Sequence, residues 1–394
     1  MAPPSDTLLI ESPVKALLQF GQSPWLDFIG RSLLTSGKLE RMMSDWGLRG
    51  ITSNPVIFEK AIAQTDEYQS DIEALAKAGS DAEQIYETLA IRDVQMAADI
   101  LLPVYEETDR ADGFVSFEVA PHMANDAKAT IDEARRLWPM LGRPNIMLKV
   151  PGTEQGLTAI RTLLADGMNV NVTLLFSVTR YREVLTMHLE GLENAAAAGQ
   201  DPAAIASVAS FFLSRIDTLV DAELDKLAES GDRRGRTAVS LRGETAIASA
   251  RRAYEVFEQF TASPRFRRIS ERGARPQRLL WASTGTKDAS YSDIKYVEAL
   301  VGQQTVNTMP LETLQAYDDH GAPALQLPGN IEDAAEKLRQ LSTLGIDLDE
   351  VTAELLRQGI NKFIEPYDSL IKTLEAARLS AVGNSHSAAG VKRP

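Results

Sequence analysis

The sequence predicts an α/β fold, a parallel (β/α)8 barrel of the TIM type with additional helices in inserted loops and at the C-terminus. Three observations carry that expectation. Short runs rich in Val, Ile, Phe and Leu recur along the 394 residues, each separated from the next by amphipathic, helix-like sequence. Such alternation implies a parallel sheet, because a parallel connection needs a crossover of about a dozen or more residues. No run is polar on one side as an open antiparallel edge would be, so closing the strands into a barrel is the natural solution. An open, doubly wound sheet is the alternative. Against its dinucleotide-binding version, no G-x-G-x-x-G turn follows the first strand to cradle a phosphate.

The expected strands cover residues 25–29, 50–53, 114–119, 146–150, 168–176, 205–213, 278–283 and 305–310. Two connections, 59–112 and 217–277, are long and helical in pattern, and read as insertions on the barrel rim. After the last strand, residues 330–341 and 348–379 carry helix periodicity and are expected to pack back on the barrel. A barrel of this kind uses about 250 residues in one domain and accepts long insertions. Residues 1–379 therefore read as a single domain, and 380–394, small and polar, as a flexible tail.

Composition narrows the function. With 41 Lys and Arg against 55 Asp and Glu, the formal net charge is −14, which argues against a nucleic-acid-coating surface and leaves anionic small molecules at a local cationic site. Cysteine is absent, so disulfides, thiolate nucleophiles and cysteine-ligated metals are excluded together, and a reducing compartment fits. The first ten residues have no basic stretch followed by an apolar one, and no apolar run reaches the ~18 residues of a membrane span. The expectation is a cytoplasmic protein with no membrane partner. One segment reverses the charge balance: residues 233–278 hold twelve Arg against Glu244, Glu255, Glu258 and Glu271. Either a nucleic-acid patch or a solvated helical insertion has this composition. The second is favoured, because only Tyr254 and three Phe accompany the arginines, with no RNA-binding signature.

The most informative stretch is Ile146-Met147-Leu148-Lys149-Val150-Pro151-Gly152-Thr153, which sets one lysine inside an apolar strand. A lysine in water titrates near ~10.4; a burial-driven drop of about three units costs the ammonium ~4 kcal/mol and leaves roughly a quarter of the amines neutral at pH 7. A neutral amine attacks a carbonyl and forms a Schiff base. The alternative is a lysine that snorkels to solvent from the strand end. A second constellation, Gly50-Ile51-Thr52-Ser53-Asn54-Pro55-Val56-Ile57-Phe58, ends a strand and opens a helix. Asn54 followed by Pro55 suits the N-cap and first position of that helix, while at the C-terminal end of a barrel strand the same amide can reach a substrate hydroxyl.

Three further polar residues end apolar strands: Asp27, Glu118 and Thr173. By the two-residue period, Asn171 shares a face with Thr173, and Ser116 with Glu118. A lone carboxylate at a strand end is a cap or an ion-pair partner, but two of them with a strand lysine form an acid/base and covalent-catalysis set. Ser177 reads as a helix N-cap. His122, His188, His320 and His386 have no metal-ligand spacing, so no metal is expected and a metal-dependent aldolase is disfavoured. His122 reads as a surface loop residue, though it would titrate near neutrality.

These residues carry a resemblance. Residues 50–58 resemble the first signature of the transaldolases, and 146–160 their second, around the Schiff-base lysine. The likeness runs from about residue 25 to 379, including Asn-Val-Thr-Leu-Leu-Phe-Ser at 171–177 and Trp-Ala-Ser-Thr-Gly-Thr-Lys at 281–287, and is closest to the longer bacterial subfamily of these class I aldolases. It implies a transferase of the pentose phosphate pathway with no cofactor and with phosphorylated sugars as partners, acting as a monomer or homodimer. Lys149 is implied as the Schiff-base residue and Asp27 as the base for the C4 hydroxyl. Glu118 and Thr173 would hold a water and move protons, and Asn54 and Asn171 would hydrogen-bond the three-carbon unit. Ser210, Phe212, Arg215, Ser283 and Lys287 are implied around the substrate, Arg215 and Lys287 as phosphate cations. Arg215 could instead merely cap its strand.

Two departures from shorter relatives stand out. Ser283 is followed by Thr284, Gly285, Thr286 and Lys287 in place of an Arg after the Ser, and Val119-Ala120-Pro121-His122 replaces Val-Asp-Pro-Arg. A lysine is a point charge where an arginine is a planar fork. Fructose-6-phosphate aldolases are the near alternative, but these carry Gln at the position of Glu118 and Tyr at that of Phe212. A non-catalytic sugar-phosphate-binding barrel is the alternative of another class, and Lys149, Asp27 and Glu118 together argue against it.

Overall fold

The computed structural model describes residues 12–389, with side chains described through Gly383. Eight strands, β1 (Gln22–Leu26), β2 (Gly50–Thr52), β3 (Phe114–Glu118), β4 (Ile146–Pro151), β5 (Val170–Leu175), β6 (Ser207–Phe212), β7 (Arg278–Ala282) and β8 (Thr305–Met309), form a closed barrel in chain order. Every neighbouring pair is parallel, including β1 with β8, which excludes the open sheet.

Strand positions agree with the expected ones except at the first. β1 starts at Gln22 and ends at Leu26, earlier than the apolar run 25–29 suggests. The polar pair Gln22 and Ser23 enters the barrel with its donors met: Gln22 Nε2 donates to the Leu300 carbonyl at 2.8 Å and Ser23 Oγ to Asp112 at 2.6 Å. Ile29, which lengthens the run, is buried just after the strand rather than in it. Asp27 is thereby the first residue past β1, its amide still bonded to the Met309 carbonyl of β8 at 2.8 Å. In β5 the pairing with β6 shifts register between Val172 and Leu175, and Leu174 takes a left-handed φ of 57°. Such a bulge re-aims side chains at a sheet end.

Both long connections are helical. The first holds a π-helical turn (Glu59–Ala63) and helices Gln69–Lys77 and Ala82–Glu107, tied to the start of helix Arg31–Thr35 by Arg31, whose Nε lies 2.8 Å from Asp93. The second follows helix Ser214–Ala228 with helices Arg233–Leu241, Thr245–Thr261 and Pro264–Ser270. Several of its arginines are met from elsewhere in the chain. Arg265 pairs with Glu193 at 2.6 Å, Arg272 donates to the Ala196 carbonyl at 3.2 Å, and Arg234 donates to the Leu344 carbonyl at 2.9 Å.

After β8, helix Ile331–Thr343 packs on Thr245–Thr261, and a long helix, Leu348–Ala389, lies over the first insertion and reaches β5. It runs past residue 379, and Ala381 is buried; residues 390–394 of the expected tail lie outside the described residues. Among the described residues no helix is long and apolar enough to cross a membrane.

Candidate active site

Lys149 faces the barrel interior near the C-terminal end of β4. Register places it beside Glu118 of β3 on one side and Asn171 of β5 on the other. Its Nζ donates to the Ser53 carbonyl at 3.0 Å and lies 3.4 Å from Glu118 Oε2, and each of the two side chains is only 4% exposed. The lysine therefore does not snorkel. The ring of Phe363, from the Leu348–Ala389 helix, covers it at 5.8 Å from Nζ. Burial pushes the Glu118 carboxyl up to about 7, against the pull of Lys149. A carboxyl titrating there both takes and gives protons at neutral pH.

Asp27 enters from the end of β1. Thr52 Oγ1 donates to its Oδ1 at 2.6 Å and is itself 2.7 Å from Thr308 Oγ1, so hydroxyls from β2 and β8 orient the carboxylate. Burial raises its pKa, while Lys149, Thr52, Arg215 and Lys287 oppose the rise.

Lys149 and Asp27 open on one cavity of about 420 Å³, whose wall also includes Asn54, Ser210, Phe212, Arg215, Ser283 and Lys287. That volume suits a small polar ligand. Arg215 sits in the first turn of Ser214–Ala228, 5.5 Å over the Phe212 ring, and its Nη1 is buried without a hydrogen-bond partner among the described residues. A buried guanidinium without a carboxylate is costly unless an anion reaches it. Gly359 lets the C-terminal helix come this close: a Cβ there would lie 3.0 Å from Leu174 and 3.7 Å from Arg215 Nη1. Ser283, left-handed at φ 55°, bonds Ser214 Oγ at 2.8 Å and so joins the end of β7 to the helix that bears Arg215. Strain of this kind in a non-glycine residue collects at functional sites.

The match to known proteins agrees with this geometry. Residues 24–374 fit the family model described as transaldolase/fructose-6-phosphate aldolase. The chain belongs to that family. A protein of Nostoc punctiforme named transaldolase 2 is 48% identical over 91% of this chain and 95% of its own length. Transaldolase 2 of Nostoc sp. PCC 7120 is 46% identical over 91% and 95%, and the transaldolase of Thiobacillus denitrificans 44% over 91% and 98%.

Of the residues that the resemblance to transaldolases singles out, eight line the cavity: Asp27, Asn54, Lys149, Ser210, Phe212, Arg215, Ser283 and Lys287. Asn54 also caps the helix that opens at Pro55, accepting the Ile57 amide at 3.1 Å, so both of its expected roles are open to it. Three others lie off the cavity wall. Asn171 spends its amide on Ser116 at 2.9 Å and Ser210 at 2.7 Å, deep in the barrel. Glu118 and Thr173 are buried; Glu118 Oε2 faces Lys149, while Glu118 Oε1 and Thr173 Oγ1 have no hydrogen-bond partner among the described residues. Ser177 caps its helix as expected, accepting the Arg180 amide at 3.3 Å. His122 is exposed and bonds Asp368 of the C-terminal helix at 2.8 Å. Among the described residues no three His, Asp or Glu side chains are grouped to hold a metal.

The cavity of this transaldolase-family barrel also contains Phe28, Thr52, Lys60, Thr308 and Phe363. Thr52 and Thr308 are polar residues at the ends of apolar strands, the signal that also marks Asp27 and Thr173. Phe363 has no local signal. It is one apolar position in a helical repeat, and only tertiary folding brings it over Lys149.

Proposed function

We propose that the chain is a transaldolase that moves a dihydroxyacetone unit from sedoheptulose 7-phosphate or fructose 6-phosphate to erythrose 4-phosphate or glyceraldehyde 3-phosphate. One observation carries this reading: a buried lysine next to a carboxyl titrating near 7 shares a cavity with an oriented aspartate and a partnerless arginine.

The Lys149 amine, having given a proton to Glu118, adds to the C2 carbonyl of the ketose. Glu118 returns that proton as the carbinolamine loses water, leaving an iminium. Asp27 takes the C4 hydroxyl proton, the C3–C4 electron pair flows into the iminium, and an aldose phosphate departs from a dihydroxyacetone enamine on Lys149. An acceptor aldehyde takes the enamine carbon, Asp27 returns its proton to the new hydroxyl, and water hydrolyses the product iminium. Burial supports both acid/base roles, because it lifts Asp27 and Glu118 toward the pH at which they must exchange protons. The partnerless Glu118 Oε1 and Thr173 Oγ1 would hold the water that enters and leaves. Asn54, Ser210 and Ser283 would meet the sugar hydroxyls, and Arg215 with Lys287 the phosphate. Asn171 would act through Ser210 rather than by direct contact.

We take its setting to be the cytoplasm and its assembly a monomer or homodimer. A fructose-6-phosphate aldolase is the second reading, and Glu118 with Phe212 favours transfer over release. A coupled assay that compares acceptor-dependent product with free dihydroxyacetone tests the choice. Transfer dominates if the proposal holds; free dihydroxyacetone as the main product contradicts it.

A further inference from the structure

The Arg-rich insertion does not line the cavity itself; it meets the loop after β7 that does. Lys287 stands on the loop between β7 and helix Lys295–Ala299, exposed and without an ion pair among the described residues. It borders two hollows: the cavity that holds Arg215, and a neighbouring one of about 310 Å³ walled by Asp217, Asp221, Asp225 and Asp288. A flexible lysine between an anion site and four aspartates goes where the unneutralised charge is.

Arg242, at the end of insertion helix Arg233–Leu241, lies among those acids. Its Nη2 is 2.6 Å from Asp288, its Nε 2.8 Å from Asp225, and its Nη1 donates to Tyr291 OH at 3.2 Å. Tyr291 in turn donates to Asp221 at 2.7 Å. Lys295 does the same for Asp217 at 3.4 Å, with its Nζ 3.6 Å from the centre of the Tyr291 ring. The adjoining Gly243, left-handed at φ 74°, makes room: a Cβ there would lie 2.8 Å from the Tyr291 ring and 2.5 Å from Lys295 Nζ. Hydrogen bonds from Ser290 and Arg242 hold the Asp288 carboxyl down to about 2, so the tie persists at neutral pH.

We propose that Arg242 is a positioning residue for phosphate selectivity: it anchors the loop at Asp288 and Tyr291 and neutralises the acids that would otherwise draw Lys287 out of the substrate cavity. This deepens the transaldolase reading and rests on it. Arg242 touches no substrate; its influence passes through Lys287.

The test measures kcat and KM for glyceraldehyde 3-phosphate and for unphosphorylated D-glyceraldehyde at saturating fructose 6-phosphate. For Arg242→Ala, KM for the phosphorylated acceptor rises about fivefold, the upper worth of one exposed charge interaction, while KM for D-glyceraldehyde stays within about twofold. Arg242→Lys, which keeps the charge but loses the fork, gives an intermediate rise. Adding Asp288→Asn to Arg242→Ala recovers part of the loss, because the competing carboxylate is gone. Equal rises for both acceptors, or no rise for either, overturn the inference when borohydride still traps substrate on Lys149. Absence of that trapped adduct in the unaltered protein overturns the catalytic reading itself, and this inference with it.

Discussion

Glu118 and Lys149 face each other in register across β3 and β4, with Oε2 3.4 Å from Nζ and almost no solvent on either. A charged pair so deeply buried loses hydration on both sides. Burial wins at the carboxyl, which holds its proton to about pH 7. The proton that must leave the amine before it attacks thus has a receiver in contact.

The burial of Glu118 makes stability depend on pH. Glu118 titrates near 4.5 unfolded and about 7 folded, so between those values the folded chain binds a proton that the unfolded chain has released. Stability falls as pH rises through this window and levels above it, and Asp27, also raised by burial, adds in the same direction. Glu118→Gln removes the Glu118 contribution. Urea unfolding at pH 5 and pH 7.5 should show the variant gaining roughly 1 to 3 kcal/mol on the native chain over that interval. An unchanged difference contradicts the raised carboxyl.

Asp27 is held by Thr52 at 2.6 Å for one step, proton removal from the C4 hydroxyl. Asp27→Ala should lose about a hundredfold or more in carbon–carbon cleavage while still forming part of the Schiff base. Rapid-quench separation of the two steps checks this, and equal loss in both rejects the assignment.

Arg215 is half-buried, with Nη1 enclosed and no carboxylate in an ion pair with it among the described residues, so its removal should be felt as lost phosphate binding. Arg215→Ala is expected to raise KM for fructose 6-phosphate about thirtyfold or more, the worth of one charge-assisted hydrogen bond of ~2 kcal/mol. Competitive inhibition by inorganic phosphate should weaken in parallel. A variant that loses stability but keeps its phosphate affinity would leave Arg215 a structural residue.

The Phe212 ring lies tilted 5.4 Å from that of Phe176 and under Arg215, and Glu118 stands beside Lys149. Replacing Glu118 by Gln and Phe212 by Tyr together should raise free dihydroxyacetone relative to transfer product by about tenfold, since a hydroxyl and an amide change which protons reach the enamine. Product analysis with and without acceptor decides it; a constant ratio rejects the argument from these two positions.

Barrel topology was legible because parallel strands are buried on both faces and read as apolar runs, and because each crossover helix is amphipathic. Lys149, Asp27 and Glu118 stood out for the same reason, as charges in sequence that otherwise avoids them. The start of β1 was less legible: the side-chain donors of Gln22 and Ser23 are met in the barrel only by Leu300, Thr305 and Asp112, residues remote in the chain. Phe363 and the Arg242 contacts depend on segments far apart in the chain, which no local period reveals. Asn171 shows the opposite limit. Its place in the motif is plain, but that its amide is already spent on Ser116 and Ser210 is a fact of packing.

The central claim is that the Lys149 amine forms the covalent bond to the sugar. Borohydride reduction in the presence of fructose 6-phosphate, followed by peptide mass spectrometry, should find a reduced dihydroxyacetone unit on Lys149 and a matching loss of activity. A label on another lysine, or full reduction with no adduct and no inactivation, would contradict it.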